Sequence, residues 1–458
     1  MRANKGSRTA GVDGVTQYCV EERIGVTSFL EGIYQELRGG TCRPTPVRQK
    51  GIPKKNGKIR YLGIPSLRDR VVQQALQMVL EPILEADFYE GSYAYRPGRR
   101  AQNAISEIYK FAHPHSGCQW VIEGDLKACF DYVDHRILMD KLRKRITDRK
   151  VLRLVKLFLQ SGVITEMGER RSTLTGTPQG GIISPLLANL YLSILDEHYA
   201  RRWREMGRYS SLRQYLRKKG LPTYKLVRSA DDFVVLVHGT REQAETLKAE
   251  TAELLREHMK MELSPEKTLV THVEDGFDFL GHRIRVKSGH GKKTLLTYPT
   301  KESLRRAKEK VKKITSRATI PLSLADILAQ LNPVLRGWSS YYRYDAAKST
   351  FAYLDYYTWN RVSRWLHKKH HKMSVKRMVA RWCPDWEFRD GKTELFRVAR
   401  VRVERYRYKG TKILHRWNEN LIRTDRVRFR LLSYEEDRLL EHLSDLLSPG
   451  NLTESRMQ

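Results

Sequence analysis

The stretch Lys225-Leu226-Val227-Arg228-Ser229-Ala230-Asp231-Asp232-Phe233-Val234-Val235-Leu236-Val237 sets two adjacent acids between apolar, β-type runs. Such runs read as paired strands, and the acids between them read as a hairpin tip that holds both carboxylates on a rigid base. Solvated acids at turns are common, so the pair alone decides little. A third acid changes the weighing. Trp120-Val121-Ile122-Glu123-Gly124-Asp125-Leu126 is another apolar strand that ends at a carboxylate. If the strands share one sheet, Asp125, Asp231 and Asp232 converge at one end of it.

Two carboxylates about 4 Å apart repel by roughly 4 kcal/mol at an effective dielectric of 20. Such a cluster persists only with protonation, basic neighbours or bound cations. Oxygen-only ligation with room for phosphate oxygens suits Mg²⁺. Two such ions, about 3.5–4 Å apart, activate an attacking hydroxyl and stabilise a departing phosphate oxygen.

Working outward, Asp134 reads as the cap of a helix carrying Leu138, Leu142 and Ile146. A segment rich in Gly and Pro, Thr175 to Pro185, leads into the apolar helix Leu186 to Leu195. Upstream, Phe29, Ile33 and Leu37 recur four apart, as on an amphipathic helix. Strand-like pieces flank the turn Lys55-Asn56-Gly57-Lys58, and a helix with Val71, Ala75, Met78, Val79 and Ile83 on one face follows. Near Thr300 the character changes. Lys301 to Arg317 is a basic helix with the apolar seam Leu304, Val311 and Ile314, and Trp- and Tyr-rich helical stretches run on to about Trp382. Phe396 to Gly410 alternates apolar and basic residues, the pattern of a half-buried sheet with a cationic outer face, and an acidic helix ends the chain.

Bulk charge narrows the partners. The 458 residues include 85 Lys+Arg against 52 Asp+Glu, a net charge of +33. An excess that large attracts a polyanion, with nucleic acid ahead of anionic membrane. No apolar run reaches the roughly 20 residues of a membrane span, and Met1 to Gly14 lacks the apolar core of a secretory signal. The five cysteines, Cys19, Cys42, Cys118, Cys129 and Cys383, are scattered and never form a C-x-x-C pair. That speaks for a reducing compartment and against a zinc module.

Asp125-Leu126-Lys127-Ala128-Cys129-Phe130-Asp131 with Asp134-His135 resembles the first catalytic block of group II intron reverse transcriptases. Thr177-Pro178-Gln179-Gly180-Gly181 through Asn189 is similar to the next block, and Ala230-Asp231-Asp232-Phe233 to the family's acidic turn. Leu263-Ser264-Pro265-Glu266-Lys267-Thr268 and Gly276-Phe277-Asp278-Phe279-Leu280-Gly281 are similar to the two blocks after it. Ile52 to Arg60 and Tyr93 to Arg99 resemble the fingers blocks. The resemblance implies Asp125 and Asp231 as principal Mg²⁺ ligands, with Asp232 completing the cluster, and deoxynucleoside triphosphates as substrates. It implies that Phe130 walls off a ribose 2′-hydroxyl and that Gln179 meets the incoming nucleotide. Lys58 and Arg60 would meet its triphosphate, or else be solvated hairpin charges. Lys267 would protonate leaving pyrophosphate, or make a phosphate or structural contact. Phe279, Leu280 and Gly281 would form the turn that holds the primer end. The chain departs from the family at Ser229, where relatives carry a bulky aromatic.

Leu331 to Tyr344, with Trp338, Tyr341 and Tyr342, resembles the family's maturase, or thumb, domain. Cations crowd the following helix, and Arg361, Arg364, Lys368 and Lys369 are the candidate RNA contacts there. The stretch after Trp382 is similar to the family's DNA-binding region, and with Cys383 as the one cysteine after residue 300 and no metal-ligand spacing, DNA cleavage by the family's Cys- and His-bearing endonuclease is not expected. The expectation is therefore an α+β right-hand polymerase. Residues 1–299 would form fingers and an antiparallel-sheet palm, 300–385 an α-helical thumb/maturase domain, and 386–458 a small basic C-terminal region. The implied activity is RNA-directed DNA polymerisation with two Mg²⁺ and no zinc, in a bacterial cytoplasmic ribonucleoprotein, with an organellar origin as the alternative. Group II intron RNA, a template–primer duplex and a DNA target are the partners, and oligomeric state stays open. The rival readings are a splicing-only maturase whose polymerase has lapsed and a host-adopted reverse transcriptase in phage defence.

Overall fold

The computed structural model describes residues 5–53, 57, 59–173, 175–178, 180–207, 209–289, 291–410 and 413. A helical turn, α1 (Gln17–Cys19), and the helix α2 (Val26–Arg38) precede the hairpin of β1 (Val47–Pro53) and β2 (Ile59–Ile64). Then come α3 (Leu67–Glu85), α4 (Ala101–Ala112), β3 (Trp120–Asp125), α5 (His135–Arg143) and α6 (Arg149–Leu159). The short strands β4 (Val163–Ile164) and β5 (Arg170–Arg171) lead to α7 (Ser184–Glu205), α8 (Ser210–Lys218), and the hairpin β6 (Thr223–Ser229) and β7 (Asp232–His238). After α9 (Arg241–Met259) follow β8 (Leu269–His272), β9 (Phe277–Phe279), β10 (His282–Gly289) and β11 (Lys292–Pro299). The helical part comprises α10 (Lys301–Ile314), α11 (Leu324–Tyr342), α12 (Lys348–Lys369) and α13 (Val375–Trp382), then the ribbon β12 (Arg389–Asp390) and β13 (Thr393–Glu394). This is the α+β right hand, with fingers, palm and thumb in chain order.

The palm sheet runs β6-β7-β3-β8, antiparallel throughout. Its central strands read as unbroken apolar runs because both faces are buried. Leu226, Phe233, Val235 and Val237 enter one core with α7, while Val227, Val234 and Leu236 enter another with Ala104, Ile105 and Ile108 of α4. A fingers sheet, β2-β1-β4-β5, and a three-stranded sheet, β11-β10-β9, flank it. The thumb has its own core, built on Val311, Leu328, Leu335, Phe351 and Trp365, and Phe388, Leu395 and Val398 pack into it from beyond the expected 385 junction. No helix among the described residues is long and apolar enough to cross a membrane.

Three local expectations are corrected. The buried stripe of α3 is Val72, Leu76, Leu80 and Leu84, one position round from the expected face. Ala75 and Val79 instead line a surface groove with Leu37, Val151 and Leu154. The palm hairpin turns at Ala230-Asp231, and Asp232 already belongs to β7. Finally, Phe396 to Gly410 forms no sheet. The Asp355 carboxylate accepts from the amides of Val398 (2.7 Å) and Ala399 (3.1 Å), which curls Val398–Arg400 into a short 3₁₀ turn instead of a ladder strand. The acidic helix expected at the C-terminus lies outside the described residues.

Candidate active site

β7 lies between β3 and β6, so Asp232 is directly opposed to Asp125 on one side and to Ser229 on the other. Opposed residues project from the same face of a sheet, which sets Asp125, Asp232 and Ser229 in one row, with Asp231 on the adjoining turn. The turn needs a left-handed residue at its first position, and Ala230 takes it at φ 59. A non-glycine there is held by its surroundings. Arg228, fully buried, donates to the Ala230 carbonyl at 3.0 Å. The same guanidinium grips Asp196 of α7 at 2.8 and 2.5 Å, Asn189 Oδ1 at 3.2 Å and Ser92 Oγ at 2.8 Å. A buried charge is tolerated only when paired and hydrogen-bonded, and here the pairing ties the acidic turn to α7 and to the fingers segment before α4.

Gly124 pairs with Phe233, and a Cβ at Gly124 would fall within the Phe233 ring. The strand before Asp125 must therefore lack a side chain at that place. On the other side, Ser264 N donates to the Asp125 carbonyl at 2.8 Å, and Lys267 Nζ donates to Asp125 Oδ2 at 2.7 Å. Burial, then the Asp231 and Asp125 carboxylates, push the Asp232 carboxyl up to about 6 against the opposing pull of Lys267. Lys267 holds its proton more tightly, chiefly through its hydrogen bond to Asp125.

Among the described residues, no three His, Cys, Asp or Glu side chains form a ready cage for a metal ion. A hard divalent cation of the phosphoryl-transfer type does not require one, since one or two carboxylates, water and substrate phosphates complete its shell. Mutually repelling, all-oxygen acids at the mouth of a cleft fit that demand. The cleft, about 240 Å³, is lined by Asp125, Asp232 and Lys267 together with Phe279 and Leu280.

The structure thus brings the turn Phe279-Leu280-Gly281 to the acids. Phe279 is itself buried in the palm core, and Leu280 (φ 50) and Gly281 (φ 81) follow it in left-handed backbone. Tyr341 Oη donates to the Leu280 carbonyl at 2.9 Å and Tyr342 Oη to the Gly281 carbonyl at 3.2 Å. The aromatics of α11 therefore hold this turn. Phe130 is half-buried in the loop after Asp125, whose backbone is bonded to Thr177 N at 2.8 Å. Gln179 and Lys58 lie outside the described residues. Gln179's neighbour Gly180 (φ 117) lies where a Cβ would come 2.6 Å from the Gly63 carbonyl, so that loop abuts the fingers hairpin. Arg60 is exposed on β2. Tyr95, in left-handed backbone at φ 55 and more than half exposed, feels both Asp231 and Arg60, and burial followed by Asp231 raises its phenol.

The four thumb cations divide. Arg361 donates to the Thr315 carbonyl at 2.8 Å and Lys369 to the Ile320 carbonyl at 2.7 Å, so both staple α12 to the end of α10 and the segment after it. Arg364 and Lys368, one turn apart, are exposed. The sequence reading passed over Arg228, Gly124 and Tyr95. A cation three residues before the acids, inside a largely apolar strand, was the available signal for Arg228.

Residues 52–284 match the reverse transcriptase (RNA-dependent DNA polymerase) family, and residues 304–383 match the group II intron maturase-specific domain. The chain belongs to the reverse transcriptase family. This reverse transcriptase is 39% identical to protein YkfC of Escherichia coli (strain K12), over 66% of this chain and 83% of that protein. It is 36% identical to the group II intron-encoded protein LtrA of Lactococcus lactis subsp. cremoris, over 63% of this chain and 54% of LtrA, and so spans about half of that relative. Telomerase from Candida albicans, solved with a fragment of telomeric RNA, aligns with a TM-score of 0.41 at 14% identity, over 78% of this chain and 67% of that one. As a family member the reverse transcriptase is an RNA-directed DNA polymerase, a metal-dependent nucleotidyltransferase with RNA partners.

Proposed function

We propose that this reverse transcriptase extends a primer 3′-hydroxyl with deoxynucleotides on an RNA template, and that it acts as the maturase of a group II intron, binding the intron RNA for splicing and copying it at a DNA target. The observation that supports this most directly is the row of Asp125 and Asp232 at opposed strand ends, with Asp231 on the turn that Arg228 braces. Asp125, Asp231 and Asp232 would hold two Mg²⁺ ions, which when bound ease deprotonation of the attacking hydroxyl and offset charge on the leaving phosphate.

The protein's own groups do the positioning. The Leu280-Gly281 turn, fixed by Tyr341 and Tyr342, holds the primer terminus against the acids. Arg60, with Lys58 and Gln179, orients the incoming triphosphate, and Phe130 serves as the wall against a ribose 2′-hydroxyl. Lys267, released from Asp125, is placed to deliver a proton toward pyrophosphate. Arg364 and Lys368 meet RNA phosphates on the outer face of α12.

The test is primer extension by the full chain on an RNA template with Mg²⁺, using deoxy- or ribonucleotides. Deoxynucleotide extension is expected, and Phe130→Val should admit ribonucleotides at least about tenfold better, since an apolar wall of this size discriminates by roughly 1–3 kcal/mol. No extension by the parent, or unchanged sugar discrimination in the variant, contradicts the reading.

A further inference from the structure

Behind the catalytic sheet, on the side covered by α4, lies a second cleft of about 650 Å³. That falls within the roughly 300–1,000 Å³ of pockets that bind small organic groups. It is built where the chain returns from the thumb. Residues 401–409 run without regular structure across α4, and Ile413 is buried in the α4 core. Asn103 Nδ2 donates to Tyr406 Oη at 3.1 Å and the Glu404 amide donates to the Arg343 carbonyl at 3.0 Å, which ties the middle of the strap to α4 and to the end of α11. Among the described residues, none lines both this cleft and the cleft of the acids.

Its lining brings aromatic rings and cations together. Tyr109, Tyr344, Tyr406 and Tyr408 supply four aromatic rings. Tyr344 and Tyr406 meet edge to face with centroids 5.0 Å apart. Arg405 lies 4.3 Å over the Tyr109 ring, and Lys110 lies 4.5 Å over Tyr408. Both acids in the lining are already engaged, Asp345 by His282 at 2.7 Å and Glu404 by Arg343 at 2.7 Å. Lys110, Arg405 and Arg407 have no carboxylate partner among the described residues. Aromatic faces interleaved with unneutralised cations suit stacked bases and their phosphates, and they are indifferent to base sequence.

We propose that this cleft binds an unpaired nucleotide segment, base on tyrosine and phosphate on Arg405, Arg407 or Lys110, at a site separate from the template–primer channel. The proposal rests on the reading that the chain binds RNA. A segment held there ties the position of the thumb's strap to RNA occupancy, because the strap forms one wall. The same chemistry is offered by a looped-out stretch of RNA and by a free nucleotide.

The test uses the full chain, a single-stranded RNA pentamer carrying 4-thiouridine, and AMP as competitor. Irradiation should join the pentamer to peptides bearing Tyr109, Tyr344, Tyr406 or Tyr408. Tyr406→Ala, which removes a stacking face, should lower that linkage by roughly fivefold or more. Leu296→Trp, which fills the cleft from β11, should do the same, so a folding failure in one variant leaves the other. Total RNA retention and primer extension should remain near parental values in both. Displacement by unlabelled pentamer but not by AMP supports a strand as the source, and displacement by AMP supports a free nucleotide. Absence of linkage to these peptides in protein that still retains RNA overturns the proposal alone, as does linkage unchanged in both variants. Failure of the parent to retain any RNA overturns the RNA-binding reading as well.

Discussion

Lys267 Nζ stands 2.7 Å from Asp125 Oδ2, so an ammonium occupies one carboxylate of the acid row. The pair is largely solvent-exposed on the lysine side, and such pairs contribute at most about 1 kcal/mol. A divalent cation at Asp125 competes with it for that carboxylate. Lys267→Met is therefore expected to tighten Mn²⁺ binding roughly two- to fivefold, read by electron paramagnetic resonance. Extension should slow by about 10²-fold or more if the ammonium also protonates pyrophosphate. An unchanged Mn²⁺ affinity would show that the ion pair does not compete with metal.

Arg228 braces the acidic turn from inside the protein. Arg228→Met leaves Asp196 buried without its partner and should cost about 3–5 kcal/mol in urea unfolding. Adding Asp196→Leu removes the stranded charge and should recover a good part of that stability. Extension should stay low in the double variant, because the Ala230 carbonyl then lacks the Arg228 donor. Full recovery of activity along with stability would reduce Arg228 to a purely structural role.

At Gly124 the steric demand is specific. Gly124→Ala places a methyl group against the Phe233 ring, and overpacking of this kind costs about 1–3 kcal/mol. Because the ring must shift beside the strand that begins at Asp232, extension should fall too. Phe233→Leu in the same chain should restore stability more than additivity allows, and a strictly additive double variant would refute the contact.

These cases mark what the sequence could and could not convey. The strands around Asp125 and Asp231 were legible because both palm faces are buried, so each strand reads as a continuous apolar run. The hairpin tip was misplaced by one residue, since apolar flanks do not reveal that Ala230 takes the left-handed position. Gly124 carried no local signal, because its constraint comes from a partner on another strand. The basic alternation after Phe396 misled for a similar reason: Asp355, far back on α12, captures the amides a ladder would have used. The thumb cations looked alike in sequence, and only the carbonyls beneath Arg361 and Lys369 separate the two kinds.

That separation can be measured. Arg364→Gln with Lys368→Gln should flatten the dependence of log K on log[salt] for RNA by about 1.4–1.8, at roughly 0.7–0.9 per phosphate contact. Their stability should be near parental. Arg361→Gln with Lys369→Gln should change the slope less and lower stability instead, by about 0.5–1.5 kcal/mol for each hydrogen bond lost. Equal slopes in the two pairs would mean that the stapling bonds do not set which cations reach RNA.

The central claim is that the acids at the ends of β3 and β7 and on the turn between β6 and β7 perform the polymerisation. RNA-templated primer extension by Asp231→Asn, with RNA binding and thermal unfolding measured on the same preparation, tests it most directly. Loss of a ligand to the catalytic ions removes several kcal/mol of transition-state stabilisation. Extension should fall below about 1% of the parent while RNA affinity and unfolding temperature stay unchanged. Extension above a few percent of the parental rate by the folded, RNA-bound variant would contradict the account.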